Sequence, residues 1–328
     1  MTQQPAFWSN TRDWRVVFLL PVSVLYDLAR RLRNIFTTPA MAGAPVICVG
    51  NLTVGGVGKS PTVRKLIELC NDMGLRHAVA TRGYGGSLYG PIRVRPETHS
   101  FKQVGDEPLM LARDTTVWKA ANRSLGIMAA RADADIVIMD DGKQNPTIYK
   151  AATIVVVDAA TGFGNGFTLP AGPLREPVRS GLRGADLILL MTDPSGVEHP
   201  ETIKHIINSG APIVRGRLAP IGDLPSPTVE ALAGIGRPEK FFATLRANGI
   251  TVTREYSFPD HHAFKRDELH SIIDSAQAPL ITTEKDMMRI PPDLRENFNV
   301  LPVALVCDDD TRIRDIIKRV ARSPQYVK

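Results

Sequence analysis

The sequence predicts an α/β fold: a mostly parallel sheet domain, a second and smaller α/β domain after it, and an amphipathic helix before it. Three observations carry this expectation. Candidate strands at Pro45–Gly50, Ala78–Thr81, Ile136–Met139, Ile154–Val157 and Leu187–Met191 are continuous apolar runs rather than alternating ones, as strands covered on both faces are. Stretches of helical length separate them, which is the alternation of a parallel sheet. A further set begins near Ile213 and includes Glu230–Ala233, Ile250–Thr253, Leu280–Thr283 and Val300–Val306, in a chain of 328 residues; one domain usually holds ~100–200.

The N-terminal segment, residues 1–40, contains an apolar run of eleven residues, Val16–Tyr26. As helix that run rises only ~16 Å, against a hydrocarbon core of ~30 Å, and Pro21 interrupts it. Arg30, Arg31 and Arg33 follow in place of a small-residue cleavage site, which argues against a signal peptide. Trp8, Trp14 and Tyr26 bracket the run and arginines flank it, the composition of a helix lying in a bilayer interface. A helix packed on its own domain is the alternative.

Residues 41–218 form the expected larger domain. Its first strand is followed by a glycine-rich loop and a helix, with Val63, Leu66, Ile67 and Cys70 on one face and Gly74 placed to end it. The Pro-rich stretch Pro220–Pro227 reads as a surface connection, so residues 219–328 form the smaller domain. Gly234-Ile235-Gly236 lacks the third glycine of a dinucleotide fingerprint and reads as a βα turn.

Hydrophobic residues at 43% and charged residues at 23% exclude a disordered chain and a multi-span membrane protein. The formal net charge of +6 suits anionic partners: nucleotide phosphates or an acidic membrane surface. Nothing beyond that charge supports nucleic-acid binding, and nothing implies an obligate protein partner. Cys48, Cys70 and Cys307 lie far apart without a Cys-x-x-Cys pair, so they read as reduced, buried apolar side chains.

The loop Thr53-Val54-Gly55-Gly56-Val57-Gly58-Lys59-Ser60 fits the phosphate-loop pattern except that Thr53 replaces the first glycine. Its glycines let backbone N–H groups converge on phosphate oxygens, Lys59 reaches the β/γ-phosphates, and Ser60 is placed to ligate Mg²⁺. The larger domain is therefore expected to be P-loop NTPase-like and to bind ATP. Asp140 and Asp141 emerge from the end of a candidate strand, the sheet edge where ligands bind, and suit a Mg²⁺-nucleotide site. Asp106 in Gly105–Pro108 and Asp260 in Phe258–His262 also read as helix caps. Adjacent His261 and His262 point apart on regular backbone, which argues against zinc.

These segments together resemble the tetraacyldisaccharide 4'-kinase family. The resemblance rests on Val49–Pro61, Thr81–Gly86, Gly105–Pro108, Asp140–Gly142, Leu169–Pro177 and Phe258–His261, in that order. It implies transfer of the ATP γ-phosphoryl group to the 4'-hydroxyl of a tetraacylated disaccharide 1-phosphate, giving lipid IVA at the cytoplasmic face of the inner membrane. It further implies that Lys59 and Ser60 hold ATP and Mg²⁺, that Asp140 and Asp141 support the metal, and that Asp106 with His261 accepts the proton. Arg175 and Glu176 would line the cleft. One departure stands out: the family continues Asp-Asp-Gly with Phe-Gln-His, whereas Lys143, Gln144 and Asn145 stand here, and Asn145 cannot titrate. A membrane-associated partitioning ATPase is the rival reading; its loop carries lysine at the position of Val54.

Overall fold

The computed structural model describes residues 5–222 and 226–323. The Pro220–Pro227 connection therefore lies partly outside the described residues, at 223–225. The elements run α1 (Trp14–Ile35), β1 (Val46–Gly50), α2 (Lys59–Asp72), β2 (His77–Thr81), β3 (Ile92–Arg93), α3 (Phe101–Val104), α4 (Asp106–Leu111), β4 (Thr116–Lys119), α5 (Arg123–Ala130) and β5 (Ile136–Asp140). They continue with β6 (Ala152–Asp158), α6 (Val178–Leu182), β7 (Leu187–Thr192), α7 (Pro200–Asn208), β8 (Ile213–Pro220), β9 (Thr228–Ala233) and α8 (Pro238–Ala247). The last are β10 (Thr251–Ser257), α9 (Arg266–Ser275), β11 (Leu280–Thr283), α10 (Glu284–Met287), β12 (Phe298–Leu301), β13 (Val303–Cys307) and α11 (Thr311–Ala321).

Among the described residues, nine strands form one sheet in the order β13-β8-β7-β6-β1-β5-β2-β4-β3, and four form another in the order β10-β9-β11-β12. The large sheet is parallel except at its two edges, where β13 and β3 run antiparallel to their neighbours; the small sheet is parallel throughout. β1 sits between β5 and β6 with Val49 opposite Asp140. That register brings the loop after β1 and the carboxylates after β5 to one edge of the sheet. All five residues of β1 and of β5 are buried, which is why their sequences are unbroken apolar runs. One apolar cluster continues from Ile47, Ile138 and Leu66 of the large sheet to Leu232, Leu280 and Phe298 of the small one.

Two expectations are corrected. The run Val300–Val306 is two strands, because Pro302 has no N–H to continue a ladder: β12 stays in the small sheet beside β11, while β13 crosses to pair with β8 in the large one. The chain thus re-enters the large sheet near its end, and α11 packs against α2 and β1. The second concerns the N-terminus. The apolar run is the middle of a 22-residue helix that continues through Pro21, about 33 Å long at 1.5 Å per residue. Pro21 thus does not break the helix, but its apolar run remains eleven residues long, too short to span, and Asp27, Arg30, Arg31 and Arg33 follow it. No helix among the described residues is long and apolar enough to cross a membrane.

Helix α1 is inverted relative to an ordinary surface helix. Its buried residues are Val16, Ser23 and Asp27, whereas Trp14, Phe18, Leu25 and Ile35 are 68%, 74%, 64% and 75% exposed. An apolar band of that extent facing outward marks an interaction surface.

Candidate active site

The loop between β1 and α2 takes its shape from glycine: Gly55 and Gly58 have φ of 107° and 98°, backbone that other residues avoid. Thr53 is not among the non-glycine residues with positive φ; it forms an antiparallel bridge with Leu174, so no glycine is needed there. The Val54 amide donates to Pro173 O at 2.9 Å. Asn51 ties the loop together, its Nδ2 donating to Thr53 O at 2.7 Å and its Oδ1 accepting from Lys59 Nζ at 3.4 Å. Lys59 Nζ also stands 3.8 Å from Asp141 Oδ1. Ser60 Oγ donates to Glu107 Oε1 at 2.9 Å, and Lys285 Nζ approaches the same oxygen at 3.3 Å.

Three carboxylates surround Lys59 and Ser60. Asp140 accepts from Thr81 Oγ1 at 3.2 Å. Burial, then the nearby anions Glu107 and Asp141, push its carboxyl up to about 7, against the pull of Lys59 and Arg123. Asp141, with φ of 48°, is also penalised by burial, but Lys59 and Arg175 outweigh that and hold it below the ordinary range. Lys285 holds Glu107 low against burial. Asp140 is thus the least compensated anion of the group, which is the electrostatic signature of a place for a cation. No three His, Cys, Asp or Glu side chains among the described residues are gathered as a ready metal cage. The donor set present, the Ser60 hydroxyl with the Asp140 and Asp141 carboxylates, is hard oxygen chemistry of the kind Mg²⁺ takes beside substrate phosphates and water.

Arg175 Nη1 donates to Asp141 Oδ1 at 2.8 Å and Oδ2 at 3.1 Å. Glu176 accepts from Gln144 Nε2 at 3.0 Å and pairs with Lys143 at 3.3 Å and Arg30 at 3.7 Å. Gln144 Nε2 also donates to Asn51 O at 2.8 Å. Of the residues that depart from the family pattern, Lys143 joins this network. Asn145 does not: its Oδ1 accepts from the Thr147 amide and hydroxyl at 2.9 and 2.8 Å. Its side chain closes a local turn, and no link from it to Arg175 or Glu176 is present.

Across the cleft, His261 Nδ1 lies 2.9 Å from Asp106 Oδ2. Asp106 opens α4, and His261 follows β10 with φ of 60°, so the pair joins the two sheets. Burial disfavours the Asp106 anion, but the hydrogen bond to His261 and the charges of Lys285 and Arg289 hold its carboxyl down at about 2. An ionised carboxylate only accepts; His261 Nδ1 must therefore carry a proton, and in the neutral imidazole Nε2, 3.8 Å from Asp260 Oδ1, is then the basic nitrogen. Tyr84 packs on the imidazole with ring centroids 5.6 Å apart. Of the two readings of Asp106, cap and pair, the geometry contains the pair: Gly105 is the N-cap and makes no side-chain cap bond, and Asp106, the first residue of α4, bonds through Oδ1 only to the adjacent Glu107 amide at 2.9 Å.

The small sheet also reaches the phosphate loop. A Cβ placed on Gly236 would lie 3.7 Å from Gly56 N. The next residue, Arg237, pairs with the buried Asp158 at the end of β6, as does Lys240 at 2.6 Å. Glu107, Asn51, Lys285, Arg289 and this Asp158 cluster were not singled out from sequence. Asn51 and Glu107 lie inside quoted motifs, but Lys285 and Asp158 carry no local signal.

Residues 15–322 match the family described as tetraacyldisaccharide-1-P 4'-kinase. The chain belongs to that family. A tetraacyldisaccharide 4'-kinase of Rhodopseudomonas palustris is 40% identical over 99% of this chain and 100% of its own length. That of Phenylobacterium zucineum is 45% identical over 94% and 97%. LpxK from Aquifex aeolicus, solved in complex with ATP, is 26% identical with a TM-score of 0.75, over 93% of this chain and 99% of that one. Membership in this kinase family removes the partitioning-ATPase reading, in accord with Val54 where that class carries lysine.

Proposed function

We propose that this kinase transfers the γ-phosphoryl group of ATP to the 4'-hydroxyl of a tetraacyldisaccharide 1-phosphate, giving lipid IVA, and works from the cytoplasmic face of the inner membrane. The reading is carried by one observation: a His261–Asp106 contact of 2.9 Å facing a phosphate loop whose lysine sits among three carboxylates. The apolar face of α1, with Arg31 and Arg33 beside it, supports attachment to an anionic bilayer, where such a lipid acceptor resides.

In this mechanism the loop amides and Lys59 hold the β- and γ-phosphates, and Lys59 opposes the charge that develops on the transferring group. Ser60, Asp140 and Asp141 would hold Mg²⁺, which neutralises phosphate charge when bound. His261 Nε2 accepts the proton of the 4'-hydroxyl as its oxygen bonds to the γ-phosphorus and the bond to ADP breaks. Asp106 keeps the imidazole in the required tautomer and stabilises it once protonated. Arg175 holds Asp141 beside Lys59, and Glu176 with Gln144 holds the backbone at Asn51.

The test is turnover of the tetraacylated disaccharide 1-phosphate with Mg-ATP in mixed micelles, with the product identified by mass spectrometry. A 4'-phosphorylated lipid formed in step with ADP supports the reading. ADP release without phospholipid product would refute it.

A further inference from the structure

Helix α1 buries its polar side and exposes its apolar one, the reverse of what a helix packed on its own domain requires. The polar side has specific partners. Ser23 Oγ donates to Thr168 O at 2.8 Å and accepts from the Ala171 amide at 3.0 Å. Tyr26 Oη donates to Arg175 O at 3.2 Å. Asp27 accepts from Arg30 and Arg31, each at 2.7 Å, and Arg30 reaches Glu176 at 3.7 Å. The side chains of Arg30, Asp27 and Glu176 are only 11%, 13% and 8% exposed. Charges removed from water to this degree cost stability unless each has its partner. Here they alternate: Arg31, Asp27, Arg30, Glu176, Lys143. The polar contacts that leave the helix fall on residues 168–176 and, through Arg33 Nη2 donating to Gln144 O at 2.7 Å, on the turn after β5, the segments that carry Arg175 and Glu176.

We infer that α1 is a structural part of the acceptor cleft, with Arg30 acting through Glu176 as a positioning residue, so that the surface facing the bilayer and the wall of the active site are one unit. A helix serving only as an anchor has no use for a buried Asp27–Arg30 pair aimed at Glu176. The order of the relay explains its purpose: Glu176 fixes Gln144, Gln144 fixes the backbone at Asn51, and Asn51 fixes Lys59. Arg30 is thereby linked to the phosphate loop without touching a substrate.

The inference rests on the kinase reading, and its test separates the two. Full-length wild type, Arg30→Gln, Arg30→Lys, Ser23→Ala, Glu176→Gln and the double variant Arg30→Gln with Glu176→Gln are assayed on vesicles of phosphatidylethanolamine and phosphatidylglycerol carrying the lipid acceptor. Flotation, melting temperature, KM for ATP and kcat are read for each. Absence of turnover in wild type would sink the kinase reading itself. With wild type active, Arg30→Gln should float normally and keep its KM for ATP within about twofold, while kcat falls roughly 10- to 100-fold, the penalty of a small misplacement at a reacting centre. Arg30→Lys should recover part of the loss. The double variant should be no worse than Glu176→Gln alone, since residues acting through one another are non-additive. Ser23→Ala removes only a hydroxyl and should lower kcat in the same sense, which keeps the test decisive should Arg30→Gln unfold. Normal kcat in both Arg30→Gln and Ser23→Ala, no recovery in Arg30→Lys, or a loss that follows flotation would each overturn the inference.

Discussion

Lys59 carries the charge argument at the phosphate loop. Asn51 at 3.4 Å and Asp141 at 3.8 Å keep its ammonium above the loop rather than in solvent. Lys59→Ala should leave the fold intact and remove about 3–4 kcal/mol of transition-state stabilisation, a roughly 10²- to 10³-fold drop in kcat, read as lipid phosphorylation at saturating Mg-ATP. Wild-type turnover in a folded variant would contradict the role. Asp140 supplies the pH argument. Its folded carboxyl titrates at about 7, well above the ordinary value of 3.8, so between those limits the folded state binds more protons than the unfolded one. The contribution of Asp140 to the stability of the nucleotide-free protein should therefore fall as pH rises from about 4 to about 7, against the opposite contributions of Asp106 and Asp158, held at about 2. A cation beside Asp140 favours its ionised form, so the rise in melting temperature on adding Mg²⁺ should be larger at about pH 8 than at about pH 6. Thermal melts at both values, with Asp140→Asn as control, decide this; a shift independent of pH, or unchanged in Asp140→Asn, would contradict it.

At the scale of elements, the strands of the large sheet were legible because burial on both faces leaves an unbroken apolar run, and the phosphate loop because it needs glycine where φ is positive. What was not legible depends on contacts distant in sequence. Val303–Cys307 is as apolar as a strand of either sheet, and only its pairing with β8 places it in the larger one. The extent of α1 was underread because Arg30, Arg31 and Asp27 look like a solvated flank, whereas Asp27 and Arg30 are buried against residue 176 and each other. Asn145, where the family carries histidine, cannot titrate and left open either a lost role or a substitute hydrogen bond; its Oδ1 accepts within a local turn, while Gln144 contacts Asn51 and Glu176. The outward face of α1 bears its own prediction. Burying Phe18 and Leu25 in a bilayer is worth ~1.5–3 kcal/mol each, so replacing both with glutamate should weaken vesicle binding at least about tenfold. Vesicle flotation against salt measures this, and unchanged flotation would show that the face meets something else.

The whole molecule is two sheets that share one apolar cluster and meet again through charge. Asp158 of the large sheet holds Arg237 and Lys240 of the small one, and Asp106 holds His261. The first contact brings Gly236 beside the phosphate loop; the second ties the proposed base to the sheet that carries that loop. Neither sheet alone contains both the phosphate loop and the proposed base, so on this reading catalysis belongs to the assembled pair. The most direct measurement of that claim is kcat for lipid phosphorylation by wild type, Asp106→Ala, His261→Ala and the double variant at saturating Mg-ATP, with ATP affinity measured separately. If the pair acts as one unit, each single variant loses roughly 10²- to 10⁴-fold, ATP affinity is retained, and the double variant is little worse than the poorer single one. Normal kcat in His261→Ala, or losses that simply multiply, would show that the pair is structural and that the proton leaves by another route.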